Sequence, residues 1–418
     1  MTSVSISRWL PNHGNVRILT ITSSIFVVLT AIVYVLKIEW IAPIPRDATT
    51  LVVGRDFLNF WMYGHAAWGS DPGQFYDPSA YNAVLTALLG PNYPGQNWSY
   101  PPSVMLVAAP FGRLGYFPAL LCWTMLGLGI FVAVMRQFVD DHRLLIPMLF
   151  SPAAIFCLMS GQSSFFTAAM LFVALSRLDR RPYLAGILIG LLTLKPQLGL
   201  LFPIMLAASG RWRVFLVAGV TAVLVVAVTA AVFGPEVWSA FVSKGIPVQN
   251  NLILADPERV ATPFYPTIFM NIRGLDTSYA TAMTVQLCFT ALAIGAVVYA
   301  YRFRKDSDPQ LLMALFLSCS VFGTPYLLAY DTLAMTCIAV ILLAGDKLDT
   351  RGQIAAKLVY WLPLIQIGFG QFHIPGPAVI PAIFALAILR KVGKEPASTT
   401  ASLWRVQAGE RAAGEVPI

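Results

Sequence analysis

The chain has 418 residues, 57% of them hydrophobic and 11% charged, with a formal net charge of +8. A soluble domain carries about 25% charged residues, so a water-soluble enzyme is excluded. Apolar segments long enough to cross a bilayer recur along the chain without the short alternating strands of a β-barrel, so the expected class is an all-α polytopic membrane protein. In such a protein basic residues gather in cytoplasmic loops, and the positive charge is read as topology, with no nucleic-acid partner expected.

In chain order, a polar N-terminus with Arg8 and Arg17 leads into an apolar span near Val16–Leu36. No small-residue cleavage site follows it, which reads as a retained signal anchor. Further spans are expected near 116–136, 144–159, 163–177, 182–195, 197–209, 212–232, 279–302, 309–323, 328–344, 357–371 and 376–390, about 12 (11–13) in all. Residues 101–113 are left open between a dip and a crossing. One membrane domain therefore covers residues 1–390, and 391–418 read as a cytoplasmic, disordered, Ala/Gly/Ser-rich tail. Most of the 28 basic residues, among them Arg136, Arg177, Arg180, Arg211, Lys305 and Lys347, fall on one side of this map. That asymmetry places both termini in the cytoplasm. All five cysteines lie in apolar segments and read as small buried hydrophobes.

The opposite, outer face carries two extramembrane stretches, about 38–101 and 233–278. In the first, Asp56–Ser70 reads as an amphipathic surface helix with Asn59 and Tyr63 on the face of Asp56 and Phe57, Phe60, Trp61 and Trp68 towards lipid. His65 lies about one turn off that stripe. A second helix is expected from Asp77-Pro78 to Gly90, with Asp77 as its cap. In the later stretch, Pro247-Val-Gln-Asn-Asn and Thr262-Pro-Phe-Tyr-Pro read as ordered loop. Short apolar segments meet at polar tips on the same side: Ser160-Gly-Gln-Ser-Ser, Leu194-Lys-Pro-Gln, Gly323-Thr-Pro-Tyr and Gln371-Phe-His-Ile-Pro-Gly. The run from Pro182 to Leu194 rises only about 20 Å, short of a bilayer core about 30 Å thick, so Lys195 is expected in a protein-lined or watery cavity. Broken helix ends of this kind point to a transport pathway or to a lipid-headgroup site.

Together, the RDFLNFW run after the first span, Gly73-Gln-Phe-Tyr-Asp, Tyr100-Pro-Pro, Gly161-Gln, Leu194-Lys-Pro-Gln and Thr324-Pro-Tyr-x-x-x-Tyr-Asp resemble glycosyltransferase family 87 over about residues 17–390. These are polytopic GT-C-type enzymes, best known as polyprenyl-phosphate-mannose-dependent α-mannosyltransferases of bacterial envelopes. The resemblance implies a bacterial plasma-membrane location, inversion at the anomeric carbon, and an outer-loop acid acting as catalytic base, which maps onto Asp56. Its Lys-Pro motif matches Lys195-Pro196, and its Tyr-Asp-Pro matches Tyr76-Asp77-Pro78. Where the mannosyltransferase branch carries a pair of histidines, this chain has Tyr330-Asp331, which leaves the sugar open.

Such a transfer needs a base for the acceptor hydroxyl, a positive site for the leaving phosphate and a groove for the carrier's tail. Asp56 suits the first, and Lys195 the second with Arg259 or Arg273 as helpers. Asn59, Tyr63, His65, Gln162, Tyr330, Asp331 and His373 are the candidate substrate-binding groups. Asp306-Ser-Asp308 matches a metal-binding pattern by letter, but Asp308-Pro309 opens a helix, so a cap is expected and neither a metal nor a cofactor. The expected function is a membrane glycosyltransferase moving a hexose, mannose first, from a polyprenyl-phosphate sugar to a lipid or glycan hydroxyl. The alternative is a transporter or a flippase for lipids or lipid-linked sugars.

Overall fold

Proline and glycine punctuate this chain, and helices begin and end where those residues dictate. The computed structural model describes residues 14–40, 44–98, 100–254 and 262–393. Among them there is no strand, only isolated bridges joining Glu39 to Arg46 and Arg46 to Val52. Prolines open Pro152–Ser160, Pro182–Leu191 and Pro309–Phe322. Most other expected segments reappear as helices near their expected bounds, including Gly14–Leu36, Tyr116–Met135, Ser164–Arg177, Trp212–Phe233 and Tyr279–Phe303.

Of the expected dozen crossings, four or five meet the length and hydropathy of a full span. Among the described residues, Gly14–Leu36, Tyr116–Met135, Trp212–Phe233 and Tyr279–Phe303 are long and apolar enough to span, and the pair His142–Leu149 and Pro152–Ser160, bent by 61°, brings that count to at most five. Five further apolar helices are only 10–17 residues long, and even 17 residues rise about 26 Å, less than the hydrocarbon core. Residues 101–113 contain a five-residue helix, Val104–Ala108, and one turn, Phe111–Arg113, which together cannot cross.

Pro309–Phe322 and Leu333–Ala344 form the centre, and every residue of the second is buried. A helix apolar on all sides belongs inside a bundle. Trp212–Phe233 is peripheral, with only Val214 and Thr229 buried. It lies against Pro182–Leu191 where a Cβ on Gly186 would come within 2.6 Å of Val217 and one on Gly190 within 2.5 Å of Thr221. Small residues four apart permit that approach. Cys122 and Cys288 are exposed, against expectation. They sit on outward helix faces, where lipid takes the place of core.

On the face carrying Asp56 two expectations are overturned. The first helix, Phe57–Ala66, is not a surface helix, because of its ten residues only His65 is exposed. Phe57, Leu58, Phe60, Trp61, Met62 and Tyr63 leave no polar stripe to face water, so packing closes around them. Gly64 lies so near Val104–Ala108 that a Cβ would meet the Ala108 carbonyl at 2.5 Å. The second departure is Ile246–Leu254, a helix where a loop was expected. Pro78–Leu89 behaves as expected, burying Tyr81, Leu85 and Leu89 along one stripe, with the Asp77 side chain accepting from the Ser79 and Ala80 amides and Gly90 at its end.

Candidate active site

Three residues before Phe57 the backbone turns through two left-handed positions, Gly54 at φ 89° and Arg55 at φ 33°. For a non-glycine residue such a conformation costs on the order of 1–3 kcal/mol and persists only when its surroundings enforce it. Arg55 Nε donates to Asp47 Oδ2 at 2.5 Å, and that buried carboxylate also accepts from the Thr49 amide and hydroxyl. Gln96 Nε2 donates to the Arg55 carbonyl at 3.1 Å, and the Tyr116 hydroxyl to the Val53 carbonyl at 2.8 Å.

The clamp aims the next residue. Asp56 holds the N-cap position of Phe57–Ala66, yet its own φ/ψ are already helical and its side chain caps nothing. Its Oδ2 instead accepts from Gln162 Nε2 at 3.0 Å and from the Tyr330 hydroxyl at 2.9 Å. Gln162 Nε2 also donates to the Tyr100 hydroxyl at 2.8 Å. Gln162 reaches this place because Gly161, at φ 58°, ends Pro152–Ser160, and a Cβ there would meet Phe57 Cβ at 2.5 Å. Burial pushes the Asp56 carboxyl above the usual carboxylate range, against the pull of the Gln162 and Tyr330 hydrogen bonds and the Arg55 and Lys195 charges.

Tyr330 joins this carboxylate to a second one. Lys195 Nζ lies 4.9 Å from the Tyr330 ring centroid and donates to Asp331 Oδ1 at 2.5 Å, where the Ser164 hydroxyl also donates at 2.9 Å. Both side chains of the pair are buried, and Asp331 Oδ2 has no partner among the described residues. Lys195 is held there because Leu192–Leu194 is the last turn before the break and Pro196 starts the next one. One locus thus contains a half-buried carboxylate with two donors on one oxygen and, across an aromatic ring, a buried ammonium.

The family model for glycosyltransferase family 87 matches residues 98–330, more than half of the chain. The chain belongs to glycosyltransferase family 87. No curated protein and no solved structure matches it. As a membrane glycosyltransferase of family 87 it carries Gln162, Lys195 and Tyr330 within the matched span, while Asp56 and Asp331 lie outside it.

The candidate site of this family 87 chain gathers Asp56, Gln162, Lys195, Tyr330 and Asp331 from the expected residues and leaves the others apart. Asn59 Oδ1 accepts from the buried Tyr81 hydroxyl at 2.6 Å, and Tyr63, fully buried, is bonded to the Tyr100 backbone. His65 is exposed and edge-on to Trp61, and partial burial lowers its pKa. Arg273 donates to the Thr277 carbonyl, and His373 Nδ1 lies 2.9 Å from the Gly274 carbonyl. Arg259 lies outside the described residues. Asp308 caps its helix through the Gln310 amide and is met by Lys347, so its carboxylate is engaged structurally.

Three tyrosines were missed. Tyr100 bonds Gln162, and Tyr265 and Tyr326 pack ring on ring at 5.2 Å close enough to feel the Asp56 charge. Each sits beside a proline in a quoted motif, which was the available signal. Next to Gly54 a groove of about 540 Å³ runs between Gly14–Leu36, Tyr116–Met135 and Pro152–Ser160. Its walls are almost wholly apolar, and its lining residues Val35, Leu121 and Leu158 are exposed on the bundle's outer surface.

Proposed function

We propose that this protein transfers a hexose, with mannose the first candidate, from a polyprenyl-phosphate sugar to a lipid or glycan hydroxyl, with Asp56 as general base. The acceptor's proton passes to Asp56 Oδ1, the acceptor oxygen bonds to the anomeric carbon, and the carbon–phosphate oxygen bond breaks with its electron pair leaving on phosphate. Lys195 meets that charge. An ammonium has three donors, and Asp331 takes one of them. The step as written inverts the anomeric centre and uses no metal.

The observation that carries this reading is the orientation of Asp56, which declines its cap and is fixed by Gln162 and Tyr330 through one oxygen alone. Two donors on one oxygen orient the carboxylate and leave Oδ1 to reach the acceptor's proton. The groove beside Gly54 supports a lipid carrier, since ligand pockets of roughly 300–1,000 Å³ with apolar walls suit apolar chains. Family membership favours transfer over the transporter or flippase alternative. In the same reading, about twelve apolar segments including broken ones build a GT-C-type domain in a bacterial plasma membrane, with both termini cytoplasmic and Asp56 facing outwards.

The test is transfer by purified protein in nanodiscs, given labelled polyprenyl-phosphate hexose and a crude envelope acceptor. Wild type should form a glycoside, and Asp56→Asn should be slower by about 100-fold or more. Equal rates would remove Asp56 from the chemistry. Product formed only from a nucleotide sugar would remove the lipid donor, and scrambling without a glycoside would favour the flippase.

A further inference from the structure

We propose that the end of the bundle opposite Asp56 holds a second binding site, for a phosphate group, built from Arg177, Arg180, Arg211 and Lys305. The distance follows from Ser164–Arg177, a helix of 14 residues. Ser164 touches Asp331 in the active site, so Arg177 lies about 20 Å away along the helix axis. Pro309–Phe322 runs between the same two places, with Pro309 at the cavity and Phe322 leading into the Thr324-Pro-Tyr loop.

At that far end a cavity of about 60 Å³ is lined by Arg177, Asp179, Arg180, Arg211, Tyr301 and Lys305 with apolar neighbours. A water needs roughly 10–15 Å³ of such space, so there is room for several waters or one phosphate-sized anion. Four cations face one carboxylate. That carboxylate is already committed, because Arg211 Nε and Nη2 hold the two Asp179 oxygens at 2.8 and 3.0 Å. The remaining Arg211 nitrogen, Nη1, is buried and has no partner among the described residues. Arg177 is 6% exposed, whereas Arg180 and Lys305 are exposed at the rim. A retained excess of positive charge around a buried guanidinium nitrogen calls for an anion, and the planar fork of arginine suits phosphate oxygens.

The surroundings favour a phosphate carried by an anionic lipid over one free in solution. Trp212, next to Arg211, is 57% exposed, and Phe303, two residues before Lys305, is 69% exposed. Exposed aromatics beside basic residues mark the headgroup level of a bilayer. Basic pockets between helix ends at that level take phospholipid headgroups.

The test titrates the full-length protein in neutral detergent with phosphatidylglycerol, phosphatidylcholine or inorganic phosphate, reading bound lipid by native mass spectrometry and stability by thermal shift. Wild type should retain phosphatidylglycerol over phosphatidylcholine, and Arg211→Gln should lose that preference. Should Arg211→Gln fail to fold, the rim variant Arg180→Gln/Lys305→Gln decides, with an expected loss of roughly thirtyfold for two cations removed from a headgroup. Stabilisation by inorganic phosphate, lost in the rim variant, would support the site with a soluble ligand. If neither ligand distinguishes wild type from these variants, the site does not exist.

Discussion

Asp56 and Asp77 each stand immediately before a short helix on the same face of the protein, and the chain uses them in opposite ways. Asp77 has extended backbone, accepts from the Ser79 and Ala80 amides and pairs with Lys244 at 2.9 Å. The Ser79 hydroxyl, Lys244 and those amides hold its carboxyl well below the usual range. Asp56 has helical backbone, turns away from its own helix, and is pushed up by burial. What separates them is the preceding residue. Tyr76 ends a turn with no left-handed residue, whereas Arg55 stands at φ 33° with its side chain paired to Asp47. A carboxylate that satisfies a helix end has no capacity left for chemistry, and one denied that role keeps it.

Four substitutions test this contrast, in falling order of effect. Asp56→Asn should cut transfer by about 100-fold or more, yet leave the unfolding temperature at neutral pH unchanged or higher. The sign follows from the raised pKa: the fold disfavours ionised Asp56, so stability is lost as pH rises through that pKa, and asparagine escapes the loss. A thermal midpoint well below wild type would break the contrast. Next, Lys195→Met should destabilise the protein by about 3–5 kcal/mol, since it leaves Asp331 charged and buried without its partner. Combining it with Asp331→Leu should recover stability in denaturant melts but not transfer.

Tyr330→Phe removes one of the two donors to Asp56 and should lower kcat/KM by about tenfold. Because that hydrogen bond lowers the Asp56 pKa, the acid limb of the pH–rate profile should move to higher pH. A drop in rate with an unmoved limb would separate Tyr330 from the base. The smallest effect is expected for Asp77→Ala, a shift of a few degrees at most in the unfolding temperature with transfer intact. As the Asp77 pKa is depressed, its contribution is present above the usual carboxylate pKa and disappears on acidification, so wild type and variant should converge at low pH.

How far the sequence carried depends on whether the deciding chemistry was local. Asp77-Pro78 to Gly90 was readable because a cap, a first-turn proline and a terminal glycine act within a few residues of the helix they bound. That Lys195 sits at a helix break was readable from Pro196 and the short run before it, while its pairing with Asp331 was not. The Phe57–Ala66 helix was misread as amphipathic, although a ten-residue stretch bearing six large apolar side chains has no face left for water. Tyr100 and Tyr326 could not be weighed, since their value rests on Gln162 and Tyr265, 62 and 61 residues away and joined only by the fold. Gln162 stood between the two cases: its motif was visible, but that it bonds Asp56 depends on Gly161 turning left-handed against Phe57.

The groove beside Gly54 sets the units in which a lipid donor must be counted. Its walls include outward faces of Gly14–Leu36, Tyr116–Met135 and Pro152–Ser160, so it opens on the side where lipid would lie. Under the proposed function, a carrier with a polyprenyl tail would reach Asp56 by lateral diffusion in two dimensions. Its effective concentration is its mole fraction among the lipids, and initial rates should follow the donor-to-lipid ratio. Diluting the bilayer with inert lipid at a fixed amount of donor per volume should slow the enzyme as surely as removing donor would.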